Sequence, residues 1–289
     1  ASGVSEAIAG TAGTKPYGAL TIASTLAWGL GYFGMPHILL RFMAIEDENK
    51  LKLSRRVASV WVIISMAIAV VIGVVGYGLM MKGIVPTYES ASAAETIIVD
   101  ISKFLSKYGY IPAFVAGIIL AGILASIMST ADSQLLAAAS SISQNLVQET
   151  FGIKLSEKKS VWLARISGIV ISIIAIFLAL DPKSSVFQIV SFAWAGFGAA
   201  FGPVVLFGLF WRRTTKWGAF AGMLSGGAMV FIWKFVIRTS FAGTWLDIYE
   251  LLPAFILACI VIVAVSLLTK APEKEITDVY DELKAVKVN

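Results

Sequence analysis

Charge is what this sequence has least of. Of its 289 residues only 14% are Asp, Glu, Lys or Arg, whereas a soluble domain carries about 25%. A single histidine and a single cysteine, His37 and Cys259, leave no material for a disulfide framework or a histidine-rich metal centre. No glycine-rich nucleotide loop and no Ser-His-Asp constellation is present, so nothing points to an enzyme or to an organic cofactor. The net charge of +5 is not gathered into a patch, which argues against nucleic acid as a partner. The opening ASGVSEAIAGTAGTKPYG has no initiator methionine and no basic segment ahead of an apolar one. It does not read as a signal peptide. Residues 1–16 read instead as the remnant of an extracellular loop, in a chain that is a piece of a longer protein.

What is present in excess is apolar sequence: 58% of residues, with a mean hydropathy of +0.84. It comes in blocks, and a block of about 20 residues crosses a hydrocarbon layer of ~30 Å as a helix. Seven spans are expected, at about 17–45, 56–81, 111–137, 160–181, 186–211, 216–238 and 250–270. All must be helical, because an open strand leaves backbone groups unsatisfied in lipid. The segments 93–108 and 143–157 are amphipathic and too polar to cross, and read as helices at the interface. Lys and Arg concentrate at residues 41–56, 154–165, 212–216 and 270–287. The positive-inside rule then puts the carboxy terminus in the cytoplasm and the amino terminus outside. Lys234 and Arg238, on the other side, are expected to snorkel to the outer interface.

Two places carry the chemistry. The first span is interrupted by Gly29, Gly31, Gly34 and Pro36, and non-helical backbone at membrane depth survives where it is buried in protein or lines a wet cavity. Trp28, Tyr32 and Pro36 recur every four residues, offering apolar rings and a phenol to a small amphiphilic solute. A proline kink packed closely through glycine fits the same pattern. In the third span, Gly122, Ser126, Ser129, Thr130 and Ser133 fall on one helical face. Neutral oxygens in such a row suit a monovalent cation; they equally suit a seam between two helices. Asp132 lies beside this face and near the end of the span, where a cap or ion pair is as good an explanation as a functional role. Gly198, Gly202 and Pro203 in the fifth span repeat the theme of breaks, serving either bending or tight packing.

The stretches WGLGYFGMPHILLRFMAI, GILASIMSTADSQLL and FAWAGFGAAFGPVVLFGLFWRRTTKWGAFAGM resemble the solute:sodium symporter family, and within it the bacterial proline-transporting branch. The resemblance implies an all-α integral membrane protein with a LeuT-like inverted repeat of five plus five helices. Residues 17–211 would be its second repeat, 212–270 two peripheral helices and 271–289 a cytoplasmic tail. It further implies that Trp28, Tyr32 and Pro36 contact the solute. Ser129 and Thr130 would bind sodium with a backbone carbonyl at Ser126. The glycine and proline breaks themselves make Gly31, Gly34, Gly198, Gly202 and Pro203 gating candidates. One departure is Met35, where the proline branch carries Gln before the Pro-His pair. The expected activity is sodium-coupled uptake of a small solute, L-proline first, across the plasma membrane. A proton-coupled or other-solute symporter is the nearest alternative, and a channel or scaffold the distant one. The partners implied are the solute, sodium, the bilayer and the first repeat, whose first helix supplies the family's other sodium ligands.

Overall fold

A computed structural model describes residues 18–88, 91–180 and 186–285; the expected loop remnant at 1–16 lies outside them. The described residues are helical throughout, with no strand. Six helices are long and apolar enough to cross a membrane. The first expected span is a seventh, divided case: α1 (Ala19–Gly31), a 3-10 turn (Tyr32–Gly34) and α2 (Pro36–Met43). The division follows from local chemistry. A residue before proline is forced out of the helical region, and Met35 is extended at φ −85°, ψ 115°. Pro36 then opens α2, where its missing N–H costs nothing.

The helices fall into two compact units. One comprises residues 59–180 of the described chain. It contains most of α3 (Leu51–Met81), the amphipathic α4 (Ile97–Leu105), α5 (Tyr110–Ser140) and α6 (Glu157–Ala179). The apolar surface of α3 is almost wholly uncovered, with Trp61 and Ile63 each 69% exposed. Such a surface calls for lipid or further protein around it. The expected separate interfacial helix at 143–157 is not formed: α5 runs on as a π-helix over Ser141–Thr150. No proline or glycine interrupts residues 123–151. Thr150 Oγ1 donates to Asn145 O at 2.8 Å, a five-residue step matching the π register, and Gly152 at φ +67° turns the chain out. Gln148 Nε2 donates to Ser160 Oγ at 3.0 Å, tying this extension to α6.

The second unit comprises residues 18–58 and 186–285. It holds the divided helix, α7 (Val186–Phe210), α8 (Lys216–Ile232, prolonged as a π turn to Ile237), α9 (Leu251–Leu268) and the amphipathic α10 (Lys274–Ala285). Its core mixes small residues with a few large ones: Ala27, Ala195, Ala199, Ala254 and Ala258 are all at most 4% exposed, beside the buried Val230, Leu251 and Ile262. Helices in lipid gain by close backbone approach rather than by expelling water. The row Gly218, Gly222 and Gly226 lets α8 lie against Ser266, Ile262 and Ala258 of α9. Thr215 caps α8, accepting from Gly218 N at 3.1 Å.

Lys234 and Arg238 do not extend freely into the interface as expected. Arg238 Nη1 donates to Glu250 Oε2 at 3.0 Å and Arg238 Nε to Asp247 Oδ1 at 2.7 Å. Lys234 Nζ lies 3.7 Å from Glu250 Oε1 and 4.1 Å from the Phe192 ring centroid. The reason is Glu250, whose side chain is only 2% exposed. A carboxylate so buried demands cations.

Candidate solute and ion sites

The break in the first span is held against α7 by glycine on both sides. A Cβ at Gly34 would collide with Phe197 O and Gly198 Cα, and one at Gly198 would come 2.7 Å from Gly31 Cα. A Cβ at Gly202 would meet the Phe255 ring at 2.8 Å. At Gly31 the indole of Trp194 occupies the space a Cβ would need. Contrary to the expected break, α7 stays helical through Pro203. The Ala199 carbonyl, whose partner four residues on is that proline, is covered by Gly226, and neighbouring helices sustain a proline-containing helix in this way.

Trp28, Tyr32 and Pro36 are brought to the same break but sit differently. Trp28 is half-buried, in near-parallel stacks with Phe187, Trp194 and Tyr249 at centroid distances of 5.4, 5.5 and 6.1 Å. Tyr32 is 51% exposed and touches the edge of Trp194 at 4.8 Å. Pro36 is exposed at the start of α2, while Met35 turns inward at 8% exposure. Sequence reasoning named neither Trp194 nor Tyr249 as part of this site. The glycine pairs Gly31–Gly34 and Gly198–Gly202 are the sequence signal for a close approach of α7 to the break, which carries Trp194 to it. Tyr249 is fixed by its hydroxyl donating to Ser191 O at 2.6 Å and its amide donating to Ser24 Oγ at 3.1 Å.

The oxygen-bearing face of α5 belongs to the other unit. Ser126, Ser129 and Thr130 are all exposed. Thr130 Oγ1 donates to Ser126 O at 3.2 Å, and Ser133 Oγ to Thr130 O at 2.9 Å. A Cβ at Gly122 on the same face would meet no atom within 4 Å. Within this unit, therefore, the face at Gly122 has no helix packed on it.

Long apolar helices, one of them divided at mid-span, with polar rows left open on their flanks, define a multi-pass α-helical membrane protein. Residues 8–226 match the model of the sodium:solute symporter family, and the chain belongs to that family. Its members are transporters, not enzymes. The chain is 42% identical over 271 residues to the sodium/proline symporter of Haemophilus influenzae, covering 93% of this chain and 51% of that protein. It is 42% identical over 255 residues to the osmoregulated proline transporter OpuE of Bacillus subtilis, covering 88% and 49%. Against the sodium/proline symporter of Escherichia coli the identity is 40% over 268 residues, covering 92% and 51%. The chain thus spans about half the length of these relatives. No solved structure matches it.

Proposed function

We propose that this chain is the second repeat and two peripheral helices of a plasma-membrane symporter with a LeuT-like inverted repeat, taking up L-proline or a close analogue with sodium. In this reading residues 17–211 form the repeat, 212–270 the peripheral pair and 271–289 a cytoplasmic tail, with the amino-terminal end of the chain outside. Sodium binds at Ser129, Thr130 and the Ser126 carbonyl. The solute binds at the break, against Trp28, Tyr32 and Pro36. The first repeat, which this chain does not contain, completes both sites.

The observation that carries the reading is the divided helix. Its two halves place backbone polar groups and Tyr32 at mid-span, the arrangement by which discontinuous helices bind charged solutes and ions. Sodium and solute each favour the state in which both sites are formed, so each raises the other's affinity. Rocking of one bundle past the other opens the sites inward; Gly31, Gly34, Gly198, Gly202 and Pro203 line the contact that must yield. A membrane potential of 100 mV adds about 2.3 kcal/mol per positive charge carried. Met35, the departure from the proline pattern, is buried at 8% exposure, while the Tyr32 ring is 51% exposed.

The test is sodium dependence. In the full-length protein, Ser129→Ala and Thr130→Ala should each raise the sodium concentration for half-maximal proline uptake without lowering the protein level in the membrane. Unchanged sodium dependence in both would make the hydroxyl row packing surface for another helix.

A further inference from the structure

One side chain outside the expected solute wall touches every part of it that lies before the proline. Trp194, on α7, donates from its indole Nε1 to the backbone carbonyl of Trp28 at 2.9 Å, across 166 residues of sequence. Its ring stacks on the Trp28 indole at 5.5 Å and 17°. It also meets the Tyr32 ring edge-on at 4.8 Å and 85°, and it fills the space above Gly31. The accepting carbonyl belongs to the last turn of α1, where a helix end leaves carbonyls without partners. At membrane depth such a carbonyl needs a donor from elsewhere in the protein.

We propose that Trp194 is a positioning residue for the solute pocket: it holds the last turn before the break and orients Trp28 and Tyr32, and thereby sets solute affinity. This rests on the reading of Trp28 and Tyr32 as solute contacts. It adds a residue and a physical cause. Gly31 is part of the device, because any side chain there would displace the indole. The stack also fixes which part of Trp28 a solute meets. With Phe187, Trp194 and Tyr249 lying near-parallel to it, that ring cannot turn in this state without breaking the set.

The experiment compares Trp194→Phe, Trp194→Ala, Trp28→Ala and Tyr32→Ala in the full-length protein, reading proline KM, the sodium concentration for half-maximal uptake at saturating proline, Vmax and protein level. Trp194→Phe keeps an aromatic ring and removes the donor. It should raise proline KM about threefold to tenfold, the range expected for one lost hydrogen bond, with sodium dependence unchanged. Trp194→Ala should raise it further. If Trp194→Ala fails to accumulate, Trp194→Phe alone decides. A fall in Vmax and protein level with unchanged KM in the Trp194 variants, while Trp28→Ala or Tyr32→Ala raises KM, overturns the positioning role and leaves the solute site standing. Unchanged KM in all four overturns both.

Discussion

A single methyl group is the most local probe of the divided helix. The Cβ of Gly34→Ala would run into backbone, Phe197 O and Gly198 Cα, which has no rotamer to yield. Overpacking of this kind costs about 1–3 kcal/mol, so Gly34→Ala should lower thermal stability of the purified protein, while Gly29→Ala, which meets no atom within 4 Å, should not. A second local probe is Tyr88, whose hydroxyl donates to Asp100 Oδ2 at 2.8 Å. Burial, then the hydrogen bond to Asp100 and its charge, push the phenol up to about 12. Its folded value lies above the ordinary value of about 10, so the contribution of the neutral phenol is complete below pH 10 and is lost as pH rises through 12. Ultraviolet titration of wild type against Tyr88→Phe should show one tyrosine ionising near pH 12 in the difference; ionisation near pH 10 would show the bond is not made. The residue scale is also where sequence reading was least complete. The four-residue spacing of Trp28, Tyr32 and Pro36 places them on one side of a continuous helix, but the turn at residues 32–34 breaks that register. Which ring is stacked and which is open depends on Trp194 and Tyr249, more than 160 residues away, and no local pattern carries that.

At the scale of elements, the break after Gly31 was legible because glycine density and a proline act on the backbone locally. The continuation of α5 into residues 141–150 was not, since polar side chains there suggested a new element while nothing in the backbone stopped the old one. The ion cluster joining α8 to the start of α9 was missed for a different reason: Lys234 and Arg238 were weighed as lone cations, and Glu250 is a partner only once the loop folds back. Removing one member of a buried ionic set costs about 3–5 kcal/mol. Arg238→Ala, which leaves Glu250 with only the longer Lys234 contact, should lower the unfolding temperature by several degrees. An unaltered transition would mean that the cluster is solvated. For Asp247, burial alone would raise the carboxyl, and the hydrogen bonds from Arg238 and Gly243 with the Arg238 charge outweigh it, holding the group below the usual range. Its folded value is depressed, so its contribution is present above the ordinary carboxylate value of about 4 and fades as pH falls through the folded one.

Over the whole molecule, composition and block length sufficed for an all-α membrane protein, since lipid permits few other arrangements. The proposed repeat assignment rests on family resemblance, because one half of an inverted repeat bears no internal mark of the other. The proposed sidedness rests on the Lys and Arg distribution: in a protein carrying one introduced cysteine, an impermeant thiol reagent applied outside should label Lys107→Cys and not Lys52→Cys. Equal labelling of both, or the reverse, contradicts the orientation. The central proposal is that sodium is the ion that drives solute inward. The most direct measurement is radiolabelled proline accumulation in vesicles containing the full-length protein, under an inward sodium gradient and under a potassium gradient of equal size and potential. Accumulation above the external concentration with sodium alone is the predicted result. Equal accumulation under both gradients, or none under either, would contradict it.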